Sequence, residues 1–241
     1  MPEIEDYLKG REGRAGIAIV VPGTGVVYSR RGHDSFRVAS VIKVVIMAAI
    51  TRLAYRETRE LSEQERSLLE AMITWSDNDA ADVLWQEAGG AIGMDQYLDE
   101  IGIAGFQLDR EGFWGDSLAS PASLAQFLAK IGWDDSSVDH YTREVALELM
   151  GRVSPEQSWG ITAGIQPELF SSVKVAIKNG WYPYEDGWVV NSAGVVLPSN
   201  GGRGYTIAIM TDSQPTLEYG IETIEAVASM VHQRLLGQPP P

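Results

Sequence analysis

The chain reads as an α+β protein: a five-stranded antiparallel sheet flanked by helices, with an all-helical lobe inserted between its strands. Three observations predict this. Two β-rich runs, Gly16–Val21 and Val26–Ser29, are separated by the turn Pro22-Gly23-Thr24-Gly25, a hairpin signal. Three more β-rich runs, Val173–Lys178, Gly187–Leu197 and Tyr205–Met210, come late in the chain. Between them, from about residue 61 to 170, the apolar spacing is helical. Residues 1–56 and 171–241 are therefore expected to form one discontinuous α/β lobe, and residues 57–170 a helical lobe. Function is expected in the cleft between the two.

The elements follow in order. Residues 3–10 suit a short helix, and the hairpin comes next. The run Phe36–Met47 is a turn leading directly into an apolar helix that continues to about Arg56. Ser62 is an N-cap with Glu65 three residues on, a capping box, and its helix carries Leu68, Leu69, Met72 and Ile73. Asp77–Glu87 and Met94–Ile101 are the next helices. Ser120-Pro121 opens another with proline at the first helical position, and Thr142–Met150 is one more. After the late strands, Leu217–Leu236 closes the fold with Ile221, Ile224, Val227, Ala228, Val231 and Leu235 on one stripe. The tail Gln238-Pro239-Pro240-Pro241 cannot continue that helix.

The bulk composition narrows the function. The chain has 241 residues, 44% of them hydrophobic, which is enough for a real core. Its formal net charge of −14 disfavours nucleic acid and anionic membranes as partners. There is no cysteine, so disulfides and thiol chemistry are excluded. His33, His140 and His232 lie far apart without ligand spacing, so neither a metal nor any other cofactor is expected. No membrane-spanning run is present. The first ten residues are acidic and carry no signal peptide, which leaves a cytoplasmic protein or one whose leader has been removed. Oligomeric state has no signature in these residues.

Ser40 and Lys43 sit three apart, a spacing that places both side chains on one helix face. Serine is a weak nucleophile until a base takes its proton, and a buried lysine that is neutral part of the time can do so. A serine in the first helical turn also lies among free N–H groups able to hold an oxyanion. Taken alone, the pattern equally suits an N-cap followed by a solvated lysine. Ser76-Asp77-Asn78 lies between two helices, where Asp77 can cap the second. Ser76 can relay a proton to a leaving group, and Asn78 can hydrogen-bond a substrate amide. Lys178-Asn179-Gly180 is read as the end of a strand. Lys178 offers positive charge to a substrate carboxylate or to Ser76, and Gly180 allows another backbone to approach.

The three motifs together, in this order, resemble the class A β-lactamases and their penicillin-binding-protein relatives. The run Met72–Ala81 is especially similar, as is Leu108-Asp109-Arg110, which opens the Ω-loop in that family. The resemblance covers most of the chain and implies the two-lobed fold predicted above. It implies that Ser40 is the acylated nucleophile, that Lys43 helps to deprotonate it, and that Ser76 and Asn78 line the cleft. It implies that Lys178 binds the substrate carboxylate, with Asn179 where the family has threonine or serine, and that the N–H groups of Ser40 and Trp181 form the oxyanion hole. Arg203 stands near where the family often has an arginine for that carboxylate.

The chain also departs from the family. The segment from Leu108 to Pro121 is short and lacks the Glu-x-x-Leu-Asn pattern that carries the deacylating base. Glu111 and Asp116 are its remaining acids. The link from the Ser40 helix to Ser76 is shortened too, thinning one wall of the cleft. Without a base, an acyl-enzyme forms and persists. The reading is thus a serine acyl hydrolase acting on a β-lactam, peptide amide or ester. The alternatives are a penicillin-binding or D-alanyl carboxypeptidase-like enzyme with slow deacylation, and a non-catalytic ligand-binding or sensor domain. The aromatics Trp114, Trp159, Trp181, Tyr182, Tyr184 and Trp188 are either core or a rim that selects an apolar or peptide-like substrate.

Overall fold

A computed structural model describes residues 1–133, 135–165, 172–199 and 204–236. Arg203 and the proline tail lie outside the described residues. Five strands form one antiparallel sheet: β1 (Arg14–Val21), β2 (Gly25–Arg30), β6 (Val173–Tyr184), β7 (Gly187–Pro198) and β8 (Tyr205–Gln214), in the order β2-β1-β8-β7-β6. The two front strands and the three back strands meet where β1 pairs with β8, from Arg14 opposite Asp212 to Val20 opposite Thr206.

Alternation along the strands assigns the two faces. Ile17, Ile19, Ile207 and Ile209 join one apolar cluster with α1 (Pro2–Lys9) and α8 (Leu217–Leu235). Their neighbours Ala18, Ala193, Ala208 and Met210 join the other, beneath the remaining helices. Successive residues of a strand point to opposite faces, so one strand serves both cores. The small side chains on the second face let helices approach closely. Those helices are α2 (Lys43–Arg56), α3 (Glu63–Thr74), α4 (Asn78–Glu87), α5 (Gly90–Glu100), α6 (Pro121–Gly132) and α7 (His140–Met150). Lys43 through Thr51 are all buried in α2, as expected for a helix surrounded by others. No described helix is long and apolar enough to cross a membrane.

The caps formed as predicted. Ser62 Oγ accepts from the Glu65 N–H at 3.1 Å, and Glu65 returns the bond to the Ser62 N–H at 2.6 Å. Ser120 caps α6 ahead of Pro121. Two features differ from expectation. First, the strand carrying Lys178 does not end at Gly180. It runs on to Tyr184 and pairs with β7 over its whole length. Pro183 is tolerated because β6 is an edge strand, where a missing N–H leaves no ladder partner unpaired. Second, three two-residue strands form a small separate sheet: β3 (Phe36–Arg37), β4 (Phe106–Gln107) and β5 (Leu118–Ala119), in the order β3-β5-β4. It ties the chain entering Ser40 to the loop that closes over the site.

Candidate active site

Ser40 lies on a single 3-10 turn, Ala39–Ile42, that feeds into α2. The chain reaching it is held from two sides. The Val38 N–H donates to the Ser117 carbonyl at 2.9 Å. Asn191, buried on β7, donates through Nδ2 to the carbonyls of Arg37 and Val38 at 2.8 and 3.1 Å. Its Oδ1 accepts from the Thr211 N–H at 3.0 Å, so one side chain joins the turn to two central strands. Ala39 has φ +49°, a left-handed conformation that non-glycine residues adopt at a cost. Gly180 lies directly against the turn. A Cβ at Gly180 would stand 2.5 Å from Ser40 N and 2.9 Å from Val41 N, so only glycine lets β6 come this close.

The second motif meets both lysines. Ser76 also has positive φ, +59°. Its turn presents the Ser76 carbonyl to Lys43 while Asp77 caps α4 by accepting from the Ala80 N–H at 2.7 Å. Lys43 Nζ donates to Ser76 O at 2.7 Å and to Asn78 Oδ1 at 2.8 Å, with Ser76 Oγ at 3.4 Å. Lys178 Nζ donates to Ser76 Oγ and to the Asn179 carbonyl, each at 2.9 Å. Lys43 therefore turns toward the 76–78 turn. Among the described residues, the Ser40 hydroxyl has no hydrogen-bond partner. Burial pushes the Lys43 amine down to about 8, opposed by the negative charges of Asp77 and Asp82. Burial, and then the nearby Lys43 charge, push Lys178 well below the usual lysine value. Both shifts favour neutral amines.

Beside these groups lies a cavity of about 370 Å³. Ser40, Asn78 and Trp181 line it, Lys43 meets it through its bond to Asn78, and Lys178 stands behind, on Ser76. Asn179 turns elsewhere: its Nδ2 donates to the Gln157 and Trp159 carbonyls at 2.9 and 2.8 Å. Of the aromatic set, Trp114, Trp181 and Tyr182 face the cavity, whereas Trp188 packs against the outer core. Trp159 packs edge-on against Trp181, 5.5 Å between ring centres. Phe113 adds a further apolar wall and is 63% exposed.

Of the two loop acids, Asp116 lines the cavity and Glu111 does not. Asp116 accepts from the Tyr182 hydroxyl at 2.5 Å and lies 3.8 Å from Arg37 Nε. Three residues here escaped the sequence reading: Asn191, Phe113 and Asp82. Asp82 lines the cavity from α4 and accepts from the Trp114 indole N–H at 2.7 Å. Its one local cue was a position four residues after Asn78, on the same helix face. Among the described residues, no group of three or more His, Asp or Glu side chains could hold a metal.

This architecture is the class A β-lactamase fold. A class A β-lactamase from Bacteroides cellulosilyticus superposes with a TM-score of 0.84 at 18% identity, covering 98% of this chain and 97% of that one. PBP-A gives 0.83 at 24% identity, covering 98% and 96%. The chain belongs to the beta-lactamase enzyme family, whose model matches residues 1–66 and 64–235. Beta-lactamase AER-1 of Aeromonas hydrophila is 28% identical, over 90% of this chain and 75% of that protein. The putative lipoprotein LppW of Mycobacterium tuberculosis is 23% identical over 80% of this chain, which spans only 61% of LppW's length.

Proposed function

We propose that the protein is a serine acyl hydrolase that forms an acyl-Ser40 intermediate on a β-lactam, peptide amide or ester. The observation that carries this reading is the meeting of three remote segments at Ser76. Lys43 from α2 and Lys178 from β6 both address the Ser76 hydroxyl, beside the cavity that Ser40 lines. The named activity of AER-1 supports a β-lactam among the substrates.

The chemistry follows from counting hydrogens. A neutral lysine amine has two N–H donors and one lone pair. Two carbonyl oxygens, Ser76 O and Asn78 Oδ1, occupy the two donors of Lys43. The third contact, Ser76 Oγ at 3.4 Å, is long, so the lone pair can turn from it to take a proton on its way from Ser40. Ser40 Oγ then attacks the substrate carbonyl, and the developing oxyanion is met by the Ser40 N–H and the Trp181 N–H. Ser76 passes its proton to the leaving nitrogen or oxygen and regains one from the Lys43 ammonium 3.4 Å away, which returns that amine to its neutral form, while Lys178 holds the hydroxyl in line. The apolar wall of Phe113, Trp114 and Trp181 suits an acyl group with an apolar side chain.

Intact mass after mixing with benzylpenicillin tests the reading. The expected result is an adduct of one penicillin, mapped to the Ser40 peptide and absent from Ser40→Ala. An adduct that persists on Ser40→Ala, or that maps elsewhere, would refute it.

A further inference from the structure

We infer that Asp82 is the base that activates the water hydrolysing acyl-Ser40. The inference rests on the acyl-serine reading above and supplies what the short loop lacks. Two carboxylates line the cavity, Asp82 and Asp116. Asp116 is engaged: it accepts from the Tyr182 hydroxyl at 2.5 Å and faces Arg37 at 3.8 Å. Asp82 is held at one oxygen only, where Oδ1 accepts from Trp114 Nε1 at 2.7 Å. Among the described residues nothing bonds to its other oxygen, which is therefore open to a water.

Two elements fix the direction of this carboxylate. On α4, Asp82 follows Asn78 by four residues, so both side chains rise on one face. From the loop, the Trp114 ring lies 4.8 Å from Lys43 Nζ while its N–H binds Asp82. One indole thus spans the amine and the carboxylate, and a rigid ring sets their separation. Asp82 is exposed and lines the cavity, so a water can reach it without opening the core.

The step balances. The water oxygen bonds to the acyl carbon as a water proton passes to the Asp82 carboxylate. The ester bond between that carbon and Ser40 Oγ breaks, and Oγ takes up the proton from Asp82, relayed through the neutral Lys43 amine. Asp82 is left as the carboxylate and Lys43 as the neutral amine, ready for the next acylation. The net change is acyl-serine plus water giving free serine plus the carboxylic acid.

Time-resolved intact mass with benzylpenicillin separates the two half-reactions for the parent protein, Asp82→Asn and Asp82→Glu. The parent adduct is expected to form and then disappear. Asp82→Asn is expected still to form the adduct, with the pH at which acylation rises shifted down by loss of the negative charge beside Lys43, but to deacylate about 10²–10⁴-fold more slowly. Asp82→Glu should restore part of that loss. Thermal unfolding of each variant reports its folding. On the parent alone, deacylation should show a normal solvent deuterium isotope effect. A parent protein that never acylates sinks the acyl-serine reading, and Asp82 with it. A parent adduct that never turns over, an Asp82→Asn variant that turns over at the parent rate, or an absent isotope effect overturns the role of Asp82 while leaving the nucleophile intact.

Discussion

Replacing Gly180 by alanine tests the oxyanion geometry directly. The added methyl would lie 2.5 Å from Ser40 N, 2.9 Å from Val41 N and 3.0 Å from Ala39 Cβ. None of these is the end of a flexible side chain, so the turn or the strand must move. Ordinary contact begins near 3.4 Å, so the gap to Ser40 N must open by about 0.9 Å. An oxyanion donor works only within roughly 2.7–3.1 Å of its target, and a shift of that size takes it out of range. Loss of one such donor costs about 10²–10³ in rate. Overpacking adds a stability loss of about 1–3 kcal/mol. The assay is the rate of acylation by a fluorescent penicillin, with thermal unfolding measured alongside. Acylation within about threefold of the parent, in a folded variant, would show that the Ser40 N–H is not the donor.

Other outcomes follow from the same contacts. The folded-state value of Lys43 lies near 8 against 10.5 for a free lysine, so the unfolded chain binds more protons between the two. Stability should therefore rise with pH across that window, by up to about 3 kcal/mol, relative to Lys43→Met in urea titrations; equal slopes for the two proteins would contradict it. Acylation should also rise as pH passes through about 8. Asn191→Ala strands two carbonyls and one N–H beneath the Ser40 turn. It should lower unfolding free energy by about 3 kcal/mol or more in chemical denaturation. Tyr182→Phe removes the bond to Asp116. It should cost about 1 kcal/mol and speed amide exchange in residues 112–116, while leaving the core protected.

The parts legible from sequence were those written in local chemistry. Ser62 with Glu65 and Ser120 with Pro121 announced their helices because capping is settled within four residues. The sheet was legible because its β-rich runs are long enough to show a period. The small sheet was not, since two residues carry none. Lys178-Asn179-Gly180 read as the end of β6, but full-length pairing with β7 carried the strand on to Tyr184. At the site, fixed spacings pointed to Ser40, Lys43, Ser76, Asn78 and Lys178. Which atom meets which depended on tertiary placement: Lys43 bonds the 76–78 turn rather than the Ser40 hydroxyl. Asn191 and Asp82 had no motif to declare them, because their partners come from elements far off in the chain.

The left-handed backbone at Ser76 sets stability against chemistry at a single position. Glycine accepts φ +59° freely, whereas a side chain there is strained by about 1–2 kcal/mol. A Ser76→Gly protein would relax the turn while deleting the hydroxyl that both lysines address. The relief of strain would then be set against a buried Lys178 amine left with only the Asn179 carbonyl to accept from it. A serine at so uncomfortable a bend is what a working hydroxyl would require.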